Sequence, residues 1–170
     1  MTSINFNERA LFPAVALYEH GDLTAYDTLD PYVLCGTSDI KARQRGRFSK
    51  SYIIDSSDLK WEVNGATILH GVPPFCGFRP LRRDIRVLPK VAAPPAKADL
   101  EWTKSEVLKR LYSKAAVVAI VVNRFCAIIG RTEARRASLS VETASSTSEI
   151  IMTLLSMDFP EKLAVKPPSR

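Results

Sequence analysis

The feature that most constrains this chain is a change of hydrophobic period across one Pro/Ala-rich segment, Val91-Ala92-Ala93-Pro94-Pro95-Ala96-Lys97-Ala98. Before it, apolar residues come in short alternating runs; after it they recur at helical spacing. In residues 81–88, Leu81, Arg83, Ile85 and Val87 fall on one face, and Arg82, Asp84, Arg86 and Leu88 on the other. Strands first and helices afterwards is the α+β order of elements. The expectation is one α+β domain over residues 1–170. An N-terminal antiparallel β-rich half (1–90) is followed by the linker (91–98), a C-terminal helical half packing on the sheet (99–158) and a tail (159–170). At 170 residues roughly 70% of the unfolded surface can be buried, so the core needs no disulfide or metal.

Within the front half, Leu11–Tyr18 and Leu23–Tyr26 flank Glu19-His20-Gly21-Asp22, a loop of hairpin length. Pro13 belongs at the start of its strand because it cannot donate to a ladder. Asp30-Pro31 marks a turn. Ser51–Asp55 predicts a strand, Ser56-Ser57-Asp58 a turn and Leu59–Val63 the next strand. Asn64-Gly65 then signals either a tight hairpin turn or a bulge before the short run Ala66–Leu69. Residues 71–77, rich in Gly and Pro, predict a loop.

In the back half, Thr103-x-x-Glu106 fits a capping box. Val107, Leu108, Leu111, Tyr112 and Ala115 form one apolar stripe after it. The β-branched run Val117–Val122 suits a buried helix end or a strand; the unbroken stripe favours helix. Gly130 is a candidate helix stop, with a second helix beginning near Thr132. Ser146-x-x-Glu149 repeats the capping pattern before a last helix that ends near Met157.

Several classes are excluded. Cys35, Cys76 and Cys126 are odd in number and widely spaced, which suits neither a disulfide framework nor a zinc knuckle. The N-terminus has no basic and apolar leader pattern. The apolar stretch 115–122 is too short to span a bilayer, so no membrane association is expected. A reducing, cytoplasmic setting is the expectation. Nucleotide-binding glycine loops, the G-x-S-x-G elbow and H-E-x-x-H are all absent, and no cofactor is implied. His20 and His70 lie at loops, and a His70–Cys76 pair is the one nucleophilic arrangement to weigh; a packing cysteine is favoured instead. Asp55 and Asp58 flank a turn and read as an Asx turn before a cation site. No enzyme is expected.

The unusual pattern is basic. Net charge is +6 with a pI near 9.4, and it is unevenly placed: residues 1–39 carry −5, 40–98 carry +8 and 99–170 carry +3. Lys41, Arg43, Arg45 and Arg47 occupy alternate positions, which in an extended chain line one side at ~6.6 Å intervals. Such a row would meet an acidic protein surface or grip successive phosphates, with Phe48 or Tyr52 to stack on a base. Arg79, Arg82, Arg83 and Arg86 form a less regular cluster.

Three further pieces carry a resemblance: Gly21-Asp22-Leu23-Thr24-Ala25-Tyr26-Asp27, Leu29-Asp30-Pro31-Tyr32-Val33, and the run from Tyr52 through Ile53, Ile54, Asp55 and Asp58 to Trp61. Together they make the front half similar to bacterial immunity proteins of the polymorphic-toxin, contact-dependent growth inhibition type. Asp58 stands where those relatives usually have a turn glycine, and the basic insert 41–50 splits the matched pieces. The resemblance implies an immunity protein that binds a cognate toxin domain and blocks its active site, and it assigns no functional residue. Either Asp22, Asp27 and Asp30 face a basic toxin or the row Lys41, Arg43, Arg45 and Arg47 faces an acidic one; the row, being denser and evenly spaced, is the expected partner-binding surface, with nucleic acid as the alternative partner.

Overall fold

Strand alternation in the front half builds a seven-stranded sheet with antiparallel pairing. The structure is a computed structural model that describes residues 5–19, 21–35, 48–70, 85–121 and 124–157, with positions 70, 113–121 and 124–131 given by backbone alone. The strands are β1 (Ala14–Tyr18), β2 (Leu23–Tyr26), β3 (Leu34–Cys35), β4 (Ser51–Asp55), β5 (Leu59–His70), β6 (Ile85–Val91) and β7 (Ala96–Lys97). Their order is β2-β1-β4-β5-β6-β3, with β7 pairing on β5. Two short helices, α1 (Phe6–Arg9) and α2 (Asp30–Val33), lie in the front half. Three long ones, α3 (Leu100–Val121), α4 (Arg124–Thr143) and α5 (Thr147–Ser156), make the back. The fold is α+β, as the change of period predicts.

The sheet has to curl. β2 and β3 stand at opposite ends of the strand order, ~24 Å apart in a flat sheet. Residues 27–33 join them, and four residues around that link form the helical turn α2, which limits its reach to ~20 Å. Bulges supply the bend. The β5–β6 register slips by one residue between Val63 and Ala66 and again between Ile68 and His70, and each extra residue kinks its strand.

Curling separates two cores. The concave side encloses α1 and α2, where Phe6, Tyr32 and Trp61 are fully buried among Ala14, Ala16, Ile53, Val63 and Val87. Phe6 meets Trp61 edge-on at 5.2 Å, and Tyr32 packs on Phe48 at 5.4 Å. The convex side of β1, β2 and β4 carries the helices: Val15, Leu17, Leu23 and Ile54 pack with Val107, Leu111, Val141, Ile150, Ile151 and Leu154. β1 is buried on both faces because its alternate residues serve the two cores, alanines inward and Val15 and Leu17 outward.

Of the two readings of Asn64-Gly65 the bulge holds, inside the continuous strand β5. Several other expectations are corrected. Asp30-Pro31 opens a helical turn with Pro near its start, the position that loses no hydrogen bond. The first long helix is not capped by Thr103. Asp99 caps it, accepting from Glu101 N–H at 3.0 Å, while the buried Thr103 hydroxyl donates back to the Asp99 carbonyl at 2.7 Å. Tyr112 belongs to the expected stripe yet is exposed. Gly130 does not stop a helix: α4 runs through it and through Thr132.

The Pro/Ala segment is stitched to the sheet. Val91 ends β6, Ala92 N–H donates to Glu62 O at 2.8 Å, Ala96–Lys97 pairs with β5, and Ala98 N–H donates to Asp58 O at 2.7 Å. The last helix starts as its capping pattern predicts: Ser146 Oγ accepts from Glu149 N–H at 3.3 Å. Residues 71–84 and 158–170, which include Leu81–Asp84 and the expected tail, lie outside the described residues.

Candidate functional site

Asp55, one of the polar side chains that the sequence singles out, is engaged in holding the fold. Asp55 ends β4 fully buried on the concave side. Its Oδ1 accepts from Ser57 N–H (2.9 Å), Ser57 Oγ–H (2.6 Å) and Leu59 N–H (3.1 Å). Its Oδ2 accepts from Trp61 Nε1–H at 2.7 Å and Leu11 N–H at 3.4 Å. Five donors saturate the carboxylate, leaving no lone pair for a cation. Asp58 closes the same turn with φ of +62°, in the left-handed region that favours the glycine of the resembling proteins. Its Oδ1 is buried with no partner among the described residues.

Two polar clusters that the sequence reading missed join the sheet to α3. Arg110 is 7% exposed. Its Nη1 donates to the Glu106 carboxylate and, at 3.0 Å, to the Glu106 carbonyl, and its Nη2 reaches the Tyr18 carbonyl of β1 at 3.1 Å. The i,i+4 spacing of Glu106 and Arg110 was the available signal. On the convex face, Lys60 Nζ stands 4.4 Å from the centroid of Trp102 and 5.6 Å from that of Tyr52, and the two rings meet edge-on at 5.4 Å. β4, β5 and α3 are thereby joined by a cation–π contact.

A half-open groove of about 310 Å³ separates α4 from α5, with Glu133, Arg136, Ser140, Thr153 and Ser156 on its walls. The Ser140 and Ser156 hydroxyls donate to their own helix carbonyls, at 3.2 and 2.8 Å. Glu133 is the one acid on these walls and no imidazole or thiol lines them, so the groove offers no base-activated nucleophile. At its neighbouring helix end, the Glu149 carboxyl is held below its ordinary value. Hydrogen bonds from Ser145 N–H at 2.7 Å and Ser145 Oγ–H at 2.9 Å are the main cause.

The expected catalytic and binding residues divide as follows. His70 ends β5 opposite Arg86. His20 and Cys76 lie outside the described residues, and so do Lys41, Arg43, Arg45, Arg47, Arg79, Arg82 and Arg83. Cys35 is buried, and its thiol points at Ile85 O at 3.6 Å. Arg86 pairs with Asp30 at 3.1 Å, which joins the basic stretch to the acidic one. The segment bearing the basic row leaves the described fold at Cys35 and rejoins it at Phe48, and both ends are buried in the concave core. Of the acids on the opposite side of the charge balance, Asp22, Asp27 and Asp30 are exposed.

Among the described residues no three His, Cys, Asp or Glu side chains stand close enough to hold a metal ion, and no helix is long and apolar enough to cross a membrane. No protein-family model, curated protein or solved structure matches this chain.

Proposed function

We propose that this chain is an immunity-type binding protein that neutralises a cognate toxin domain through protein–protein contact, with Lys41, Arg43, Arg45 and Arg47 meeting an acidic face of that partner. The observation that carries this reading is the density of charge in the basic row, four cations within residues 41–47, in a segment whose flanking residues Cys35 and Phe48 are both buried in one core. Dense charge of one sign favours fast, selective encounter with a partner of opposite sign. The assignment of Asp55, Arg110 and Lys60 to structural bonds also fits a scaffold better than a reaction centre.

The test is to mix the chain with the C-terminal domain of an exported protein encoded beside it and to measure binding and toxicity. Sub-micromolar binding, loss of toxicity, and loss of both on reversing the four charges (K41E, R43E, R45E, R47E) are expected. No binding at micromolar concentration ends the proposal. The alternative partner, nucleic acid, predicts a log–log salt slope of roughly −3 to −4 for four neutralised phosphates. A flat salt response excludes it.

A further inference from the structure

β5 outruns its neighbour. On one side it pairs with β7 and then with β6 as far as His70. On the other side its pairing with β4 stops at Ser51↔Val63. Lys50, the residue before β4, continues the pairing with the first hairpin, giving its carbonyl to Glu19 N–H. Among the described residues nothing pairs with residues 64–69 on this side, so every second amide and carbonyl there points away from β6 and meets no described partner. The run from Asn64 to His70 extends ~23 Å.

An edge of this length usually carries a charge, a proline or a cover that keeps other chains off. Asn64-Gly65-Ala66-Thr67-Ile68-Leu69 has no charge and no proline, and its large residues are open to solvent, Ile68 at 51% and Leu69 at 44%. The two bulges twist the strand without blocking it. Among the described residues Lys90, on β6, runs its stem beside Gly65, with its Cδ 3.4 Å from where a Cβ would sit.

We propose that this edge is a self-association site: two copies pair their β5 strands antiparallel about a two-fold axis at Thr67, joining the two sheets into one. Three features single out a second copy as the occupant. The register centred on Thr67 sets Thr67 against the second copy's Thr67, a favourable cross-strand pair. It sets Ala66 against the second copy's Ile68 and Gly65 against its Leu69, so small residues meet large ones on each face. It also brings no charged residue opposite another, which lets a chain of net charge +6 approach itself along this one neutral line. A contact built on two such edges buries less than about 1,200 Å², the range of transient interfaces, so the dimer dissociates in the micromolar range.

Sedimentation of the intact chain between about 1 and 300 µM is expected to show a monomer–dimer equilibrium. Thr67→Lys places two ammonium groups opposite one another and is expected to weaken dimerisation about tenfold or more. Because Thr67 is exposed, its melting temperature when monomeric should match the parent. Thr67→Cys should form an intermolecular disulfide at least about tenfold faster than Ser148→Cys on α5, since paired strands bring the two Cα atoms within bridging distance. Amides 65–69 should gain protection from hydrogen exchange as concentration rises. A monomer throughout the range, a dimer indifferent to Thr67→Lys, or equal disulfide rates overturns the proposal. Edge amides protected equally at dilution do so too, because the chain would then cover its own edge.

Discussion

The indole N–H of Trp61 donates to Asp55 Oδ2 at 2.7 Å, with the whole of both residues buried. That bond joins the end of β4 to the third residue of β5 and fixes how the two strands leave their connecting turn. Asp55 also gathers the turn's own backbone amides and the amide of Leu11, so one carboxylate organises three stretches of chain. Asp55→Asn replaces an acceptor oxygen with a donor facing other donors and should destabilise the protein by about 2–4 kcal/mol. Trp61→Phe leaves most of the cluster and should cost less, about 1–2 kcal/mol. Urea unfolding of both variants checks the order, and a harmless Asp55→Asn would refute this account.

Asp58 offers the opposite sign. Its positive φ and its unpartnered buried Oδ1 both weigh against the native state. Asp58→Gly, which relieves both, should raise stability by about 0.5–1 kcal/mol, and Asp58→Ala, which removes the buried oxygen but keeps the Cβ strain, should gain less. Thermal melts of the pair separate backbone strain from burial of the carboxylate.

Helix capping at Asp99 and not at Thr103 has a direct readout. Asp99→Ala should destabilise by about 1 kcal/mol. Thr103→Ser keeps the hydroxyl that donates to the Asp99 carbonyl and should cost less. A harmless Asp99→Ala would return the cap to Thr103.

Glu149 makes the pH prediction. Its folded carboxyl is held low by hydrogen bonds from Ser145, so it binds a proton less readily folded than unfolded. The stabilisation is complete above the unfolded value and fades as pH falls through the folded one. Glu149→Gln should therefore melt lower than the parent at pH 7, and the gap should close on the acid side of the ordinary carboxylate range. A gap unchanged by acid would show that the side chain acts through packing alone.

Elements whose signal is local were legible in the residues. The first hairpin needed only Gly21, which adopts φ of +86°, and α5 needed only the Ser146–Glu149 pattern. The change of period at the Pro/Ala segment was enough for the α+β class. What escaped was set by distant partners. Asn64-Gly65 left turn and bulge open, and only the pairing with β6 selects the bulge. Thr103 looked like a cap because nothing in the sequence places Asp99 against Glu101 and Thr103. Tyr112 followed the stripe yet stayed exposed, because helical spacing marks a face but not the width of the surface that covers it. The i,i+4 spacing pairs Arg110 with Glu106 but does not bury it, since the Tyr18 carbonyl that holds it is 92 positions away. The basic row was visible as a pattern, but which partner it fits depends on the shape of the partner, which no residue of this chain encodes.

The convex core joins the first hairpin to the last helix: Val15, Leu17 and Leu23 rest on Ile150, Ile151 and Leu154. A ribosome adds ~5–20 residues per second, so the earliest strands wait on the order of ten seconds for the segment that will shield them. During synthesis, therefore, the newborn sheet presents greasy side chains to the cell with no lid of its own. Its demand on chaperones should be set by translation speed through the helical half, and slowing codons placed after the Pro/Ala segment should lower the yield of intact protein.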